Sequence, residues 1–144
     1  MVYWYVGISR LAAGKYRKPE MKLRNQPVLI VAPPGRLRDS LQAMVRAVPQ
    51  IADTMQADDG LAALQMLAER PLALVLLDAD LPGEEAWTVW PQIKARWPQT
   101  RVIILANNDG QRQVAGKCDA DAVLTKGFTV TALRETVATL LPSA

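Results

Sequence analysis

Five short apolar runs alternate with five amphipathic patterns between residues 27 and 141, and this alternation constrains the fold more than any other feature. The runs are continuously apolar, as expected for strands that are buried on both faces of a sheet. They cover residues 28–32, 72–78, 101–106 and 121–125, with a weaker run at 51–57. Between and after them, apolar residues at spacings of three and four predict helices with one apolar face. The residues assigned to these faces are Leu37, Leu41, Met44, Val45 and Val48, then Leu61, Leu64 and Leu67, then Val130, Leu133, Val137, Leu140 and Leu141.

Five repeats of strand then helix predict a doubly wound α/β fold. Parallel strands need crossover helices, and right-handed crossovers place those helices on both faces of the sheet. We therefore expect a five-stranded parallel sheet inside a three-layer α/β/α sandwich. Thr129 is a plausible N-cap for the last helix. Two helices are predicted to be weaker, because Pro91 should kink or split the third and only Val114 and Cys118 lie at core spacing in the fourth.

Length and composition favour one ordinary domain and exclude several site chemistries. The chain has 144 residues, of which 50% are hydrophobic, so it is long enough for one sizeable core. It has one cysteine and no histidine, which rules out an intramolecular disulfide framework and the usual zinc and Ser-His-Asp sites. Long apolar stretches and a signal-peptide pattern are both lacking, and we expect a cytoplasmic protein without a membrane segment.

The basic charge of the chain is concentrated near its N-terminus. Residues 1–26 carry six basic side chains against one acidic, a net charge of +5, whereas residues 27–144 carry eleven against thirteen, a net charge of −2. We divide the chain into a basic N-terminal extension, 1–26, and one domain, 27–144. The extension is interpreted as a disordered leader or as a basic, aromatic arm that contacts a partner, a membrane surface or nucleic acid. A further interpretation is that residues 1–20 are a start-site artefact, with Met21 as the true start. The acidic domain is not expected to bind nucleic acid directly.

Polar residues follow the predicted strands, and these segments bring a known family into view. The segment VLLDADLPG (75–83) resembles the third strand and following loop of response-regulator receiver domains. RVIILANND (101–109) is similar to their fourth strand, and ADAVLTKGF (120–128) to their fifth strand with its lysine. The resemblance covers about residues 27–141 and implies a flavodoxin-like sheet with strand order 2-1-3-4-5.

The resemblance implies phosphoryl transfer from a histidine kinase or a small phosphodonor to Asp78. A carboxylate that attacks an anionic phosphoryl group meets charge repulsion, so such a site must supply positive charge. In the family that charge comes from Mg²⁺ and a lysine, which matches Lys126 here. Asp80 falls where a backbone carbonyl normally joins the metal shell, so Asp78 and Asp80 are the candidate metal ligands.

Several positions depart from the family pattern. The acidic pair that normally ends the first strand and helps to hold Mg²⁺ is replaced by Ala32 and Pro33, which have no side-chain oxygen. The switch hydroxyl of the fourth strand matches Ala106, and the aromatic switch residue of the fifth strand matches Val123. Because Mg²⁺ depends on oxygen ligands, we expect its binding to be weak or absent.

These departures predict a degenerate receiver, or pseudo-receiver, that is not an enzyme and acts by protein–protein interaction. Its expected partner is a histidine kinase, another regulator or a second copy, with a homodimer as one outcome. The alternative is a functional response regulator, phosphorylated on Asp78, with a metal site rebuilt from Asp80, Asp58 and Asp59. A simpler interpretation is that Asp80 caps a turn and that Asp58 and Asp59 cap a helix.

Two further hypotheses concern the loop after the first strand. Arg36 or Arg38 could replace the missing cation by pairing with the carboxylate of Asp78. A nucleotide or flavin binder on the same fold is the third class of function. Pro33 and Pro34 stand against it, because they remove backbone N–H groups where a phosphate cradle would need donors.

Overall fold

The computed structural model describes residues 26–117 and 120–141. The predicted N-terminal extension, except for the backbone of Gln26, and Cys118 lie outside the described residues. The elements in chain order are β1 (Gln26–Val31), α1 (Arg36–Arg46), β2 (Ile51–Ala57), α2 (Gly60–Glu69), β3 (Leu74–Asp78), a 3-10 turn (Pro82–Glu84), α3 (Ala86–Arg96), β4 (Arg101–Ala106), α4 (Asp109–Lys117), β5 (Ala122–Thr125) and α5 (Val130–Leu140). In these described ranges, no helix combines the length and the apolar character needed to span a bilayer.

The five strands form one parallel sheet in the order β2-β1-β3-β4-β5. This arrangement confirms the predicted doubly wound, flavodoxin-like fold and its strand order. β3 lies at the centre of the sheet, and all five of its residues are buried. Its last residue, Asp78, therefore stands at the carboxyl edge of the sheet, between the ends of β1 and β4.

Two apolar layers, one on each face of the sheet, hold the helices in place. One layer joins alternate strand residues such as Leu29 and Val75 to α2 and α3, with Ile93 fully buried. The other joins the intervening strand residues to α1 and α5 through Leu41 and Leu133. Each fully buried leucine, isoleucine or valine stabilises the fold by about 1.5–3 kcal/mol relative to exposure, so the two layers together fix the sandwich.

The predicted helix faces are right for α1 and α5 but wrong in part for α2 and α4. Leu61 was assigned to the core but is 63% exposed, and Val114 is 40% exposed. Small residues face the core instead: Gly60 and Ala63 in α2, and Ala115 in α4. Large apolar side chains dominate a hydrophobic pattern, whereas these two helices pack closely through glycine and alanine, which carry a weak apolar signal.

The helix ends and the proline in α3 test three further predictions. Thr129 Oγ1 accepts the N–H of Ala132 at 3.0 Å, which confirms it as the N-cap of α5. Asp59 accepts the N–H of Ala62 at 2.8 Å and caps α2 in the same way. Pro91 does not split α3, which runs as one helix from Ala86 to Arg96.

Gly60 marks the point of closest approach between α2 and α3. A Cβ atom at this position would lie 2.2 Å from Val89 Cγ2 and 2.9 Å from Glu85 Cδ. Glu85 Oε1 also accepts the backbone N–H of Gly60 at 2.8 Å, so the start of α2 is bound to the residue before α3. Any side chain at position 60 would push the two helices apart.

We expect Gly60→Ala to destabilise the domain by about 1–3 kcal/mol, because the added methyl group overlaps Val89 in a packed layer. Gly116→Ala in α4 is the matched control, since a Cβ there meets nothing within 4 Å. It should leave stability unchanged or raise it by up to about 1 kcal/mol. Urea unfolding followed by circular dichroism measures both, and a Gly60→Ala protein as stable as its parent would contradict the close approach.

Candidate functional site

Asp78 is a buried carboxylate at the end of the central strand. Its relative exposure is 3%, and the four residues before it in β3 are fully buried. The turn that follows is fixed by backbone hydrogen bonds, with the N–H of Ala79 donating to Leu105 O at 3.0 Å and that of Leu81 to Asp78 O at 3.3 Å. The N–H of Asp80 donates to Asp78 Oδ1 at 2.9 Å. The strand and its turn thus hold the carboxylate in one orientation.

Lys126 supplies the positive charge at this carboxylate. It follows β5, and its backbone N–H donates to Ala106 O at 2.8 Å, which brings it to the carboxyl end of β4. Its Nζ lies 2.6 Å from Asp78 Oδ1 and 2.8 Å from Asp80 Oδ2. The structure therefore brings together the predicted phosphoacceptor, the predicted lysine and Asp80, with one ammonium group bridging two carboxylates.

The bridge shifts the pKa values of Lys126 and Asp80. The hydrogen bond from Lys126 holds the pKa of Asp80 below its ordinary value, and a second hydrogen bond, from Gln111, acts in the same direction. Burial lowers the pKa of Lys126, but its hydrogen bonds with Asp78 and Asp80 outweigh this effect and raise the pKa above its ordinary value. Lys126 is therefore a permanent cation at neutral pH.

Gln111, in the first turn of α4, was not singled out by the sequence. Its Nε2 donates to Asp80 Oδ1 at 2.7 Å, and its Oε1 accepts the N–H of Asn107 at 2.6 Å. One amide side chain thus connects Asp80 to the end of β4. A polar residue in a polar helix carries no distinctive sequence signal, because its role depends on which loop the helix faces.

The end of β1 is occupied by an arginine. Ala32 is fully buried, and its carbonyl accepts a hydrogen bond from Arg38 Nη1 at 3.2 Å. The same nitrogen forms an ion pair with Asp58. Asp58 was predicted to cap α2, but Asp59 caps that helix and Asp58 binds Arg38. The hypothesis that an arginine pairs with Asp78 is not met, since Lys126 is the cation that contacts this carboxylate.

These residues fit a Mg²⁺ site poorly. Within residues 26–117 and 120–141, no group of three or more histidine, cysteine, aspartate or glutamate side chains is arranged to hold a metal ion. Asp78 and Asp80 are already bridged by the Lys126 ammonium. At the end of β1, no side-chain oxygen is present at Ala32 or Pro33, and the Ala32 carbonyl already accepts from Arg38. Mg²⁺ would have to compete with two resident cationic groups for its ligands.

A cleft of about 580 Å³ opens beside Asp80, between the turn after β3 and α4. Leu81 and Trp87 line one side, and Gln111 and Val114 line the other. Glu84 stands at its rim with a backbone φ of 55°, a left-handed conformation that costs a residue with a Cβ atom about 1 kcal/mol. The cleft therefore combines an apolar lining with acidic groups.

Replacing Lys126 by methionine should destabilise the domain by about 1–3 kcal/mol, because buried Asp78 loses its cation. Adding Asp78→Asn should recover part of this loss, since an amide needs no counter-charge. Lys117→Met, at an exposed lysine in the last turn of α4, is the control and should change little. Chemical unfolding at pH 7 tests all four proteins, and a double variant no more stable than Lys126→Met would contradict the pairing.

The lowered pKa of Asp80 predicts a specific pH dependence. A carboxylate with a lowered folded-state pKa contributes stability above its unfolded pKa of about 3.9 and loses it as the pH falls through the folded value. Asp80→Asn should therefore lose less stability than the parent between about pH 4 and pH 2. Asp109→Asn, at a carboxylate that is 93% exposed, serves as the control. If unfolding titrations showed that the parent and Asp80→Asn lose the same stability over this pH range, the lowered pKa of Asp80 would be refuted.

Solved structures of signalling proteins share this fold. The signal receiver domain of an HD domain-containing protein from Pseudomonas fluorescens Pf-5 is 25% identical with a TM-score of 0.72, and the match covers 82% of this chain and 88% of that chain. A DNA-binding response regulator of the LuxR family from Staphylococcus aureus is 23% identical with a TM-score of 0.70, covering 80% and 98%. The second likeness shows the fold alone.

Sequence comparison leads to the same family. The Fimbriae Z protein of Salmonella typhimurium is 30% identical over 71 residues, which is 49% of this chain and 34% of that protein. The chain thus spans about a third of the length of this relative. Residues 28–138 match the family model described as the response regulator receiver domain. This match covers most of the chain and every element of the sheet, and the chain therefore belongs to the response regulator receiver domain family.

Proposed function

We propose that this receiver domain signals through protein–protein contacts without accepting a phosphoryl group. The observation that carries the proposal is the end of β1, where Ala32 and Pro33 offer no carboxylate and the Ala32 carbonyl binds Arg38. The acidic pair through which the family holds Mg²⁺ is thus replaced by two residues without side-chain oxygens and a neighbouring guanidinium. Phosphoryl transfer needs a metal ion to offset the charge of the incoming phosphate.

The state of Asp78 supports the same proposal. Its carboxylate is 3% exposed, bound by Lys126 at 2.6 Å and by the N–H of Asp80 at 2.9 Å. A nucleophile held in this way must break an ion pair before it attacks an anionic donor. Lys126 also binds Asp80, so it offers less positive charge to an incoming phosphate than a lysine with one partner would.

The groups that report phosphorylation in the family are also replaced. Ala106 is buried at the end of β4 and has no hydroxyl to bind a phosphoryl oxygen. Val123 in β5 is half-buried and aliphatic, so no aromatic ring can turn inward there. A phosphoryl group on Asp78 would therefore lack both side chains through which the family transmits phosphorylation to the domain surface.

A protein is the partner that these features support: a histidine kinase, another regulator or a second copy of the chain. Nucleic acid is disfavoured because residues 27–144 carry a net charge of −2. The cleft beside Asp80, with apolar Leu81 and Trp87 and acidic Glu84, gives such a partner a surface with mixed chemistry. The domain acts in this proposal as a binding module and not as an enzyme.

A functional phosphoacceptor with a rebuilt metal site is the second candidate. The Asp78–Lys126 pair favours it, because the expected nucleophile and the expected lysine are in direct contact at the strand end. Asp80 is 42% exposed beside the cleft and would have to become the second metal ligand. This site would require Lys126 to release Asp80.

Incubation with acetyl phosphate and Mg²⁺, followed by intact-mass and peptide mass spectrometry, separates the two candidates. We expect no phosphoryl adduct on Asp78 and no stable complex with beryllofluoride. Asp78→Asn is the matched control for adducts at other residues. An adduct that forms on the parent protein and disappears in Asp78→Asn would refute our proposal and support the functional phosphoacceptor.

Restoring the acidic pair should restore metal binding if its loss is the decisive change. The double variant Ala32→Asp/Pro33→Asp should bind Mg²⁺ at least about tenfold more tightly than the parent, because it regains two oxygen ligands. Tryptophan fluorescence measures this, since Trp87 lines the adjacent cleft. Asp78→Asn in the same background should weaken the regained binding. Equal Mg²⁺ affinity in parent and double variant would show that the end of β1 is not the limiting feature.

A further inference from the structure

Gln111 joins the centre of the site to α4 by a continuous set of hydrogen bonds. Lys126 Nζ binds Asp80 Oδ2 at 2.8 Å, and Asp80 Oδ1 accepts from Gln111 Nε2 at 2.7 Å. Gln111 Oε1 then accepts the N–H of Asn107 at 2.6 Å. We propose that Gln111 is a positioning residue that couples the Asp78–Lys126 pair to the first turn of α4.

The coupling arises because one ammonium group serves two carboxylates. Lys126 contacts Asp78 at 2.6 Å and Asp80 at 2.8 Å, so a change at Asp78 alters how much of its charge is shared with Asp80. Asp80 uses its second oxygen to accept from Gln111. A hydrogen bond to a carboxylate weakens or strengthens with the charge left on that carboxylate, and Gln111 therefore responds to events at Asp78.

The start of α4 has few other contacts to hold it. Ala115, in the second half of this helix, is buried, whereas the residues before Gln111, from Asn107 to Gly110, are exposed. Asn108 Oδ1 accepts the N–H of Gln111 at 2.9 Å, which is a local contact within the same turn. The side chain of Gln111 reaches from this turn to the loop after β3, where its Nε2 donates to Asp80 Oδ1. Loss of this hydrogen bond should therefore loosen the first turn, while buried Ala115 keeps the rest of α4 on the core.

A movement of this turn would affect the binding of a protein partner, and this step rests on the proposed function. Gln111 and Val114 line the cleft opposite Leu81 and Trp87, so a shift of the first turn changes the width of that cleft. Gln111 would thereby link the state of the Asp78–Lys126 pair to the width of the cleft. The domain would present a different surface to a protein partner when the Asp78–Lys126 pair is broken.

Hydrogen–deuterium exchange with mass spectrometry on the full chain tests the coupling. We expect Lys126→Met to raise the exchange of amides from Asn107 to Arg112 at least about threefold, after normalisation to the amides of β1. Lys126→Arg, which keeps a cation, should preserve protection. In a Gln111→Leu background, α4 has already lost its hydrogen bond to Asp80. Lys126→Met should then cause no further increase in the exchange of these amides.

Two controls separate coupling from a general loss of stability. Asp80→Asn keeps an acceptor oxygen for Gln111 and should protect α4 better than Asp80→Ala. Arg112→Leu removes an exposed side chain of the same helix, paired with Asp109 at 4.0 Å, and should leave the response to Lys126→Met intact. Additive effects of Lys126→Met and Gln111→Leu, or unchanged α4 exchange in Gln111→Leu, would overturn the proposal.

The result is independent of the phosphorylation experiment. If Asp78 accepts a phosphoryl group but the exchange pattern is as expected, the proposed function fails and the coupling through Gln111 stands. If no adduct forms and the effects of the two variants are additive, the proposed function stands and Gln111 is an ordinary helix residue.

Discussion

The ion pair between Asp78 and Lys126 is the interaction on which the rest of this structure depends. A carboxylate at the end of a strand buried on both faces is costly unless a cation and hydrogen bonds compensate it. The cation comes from the residue after β5, and it reaches Asp78 only if β3, β4 and β5 are paired in the observed register. The contact of the Lys126 N–H with the Ala106 carbonyl continues that pairing to the site. The strand order and register of the sheet therefore also determine how the charge of Asp78 is compensated.

The site contains the expected lysine, Lys126, but it lacks the acidic pair with which the family holds Mg²⁺. At the end of β1, an alanine and a proline stand beside an arginine that binds a backbone carbonyl and Asp58. At the carboxyl edge of the sheet, Arg38 pairs with Asp58, and Lys126 pairs with both Asp78 and Asp80. The acidic residues of this edge are thereby compensated by side chains of the same chain. This internal balance supports the proposal that the edge serves as a binding surface for a protein partner.

The sequence was sufficient for the sheet and for the central pair, because both depend on strong local patterns. Continuous apolar runs predict buried strands at β1, β3 and β4. The resemblance of the strand ends to receiver domains then identified Asp78 and Lys126. The faces of α2 and α4 were harder, since Gly60, Ala63 and Ala115 reach the core and Leu61 and Val114 do not. Gln111 and the Arg38–Asp58 pair could not be predicted, because each contact joins segments whose relative position is set by the whole sheet.

The bridge between Lys126 and the two carboxylates also has a chemical consequence for the lysine itself. Acylation requires a neutral amine with a free lone pair, and the raised pKa of Lys126 keeps that form scarce. The side chain is only 16% exposed, so a reagent also has limited access to Nζ. The contacts that compensate Asp78 should therefore make Lys126 less reactive towards acylating reagents than an exposed lysine such as Lys117.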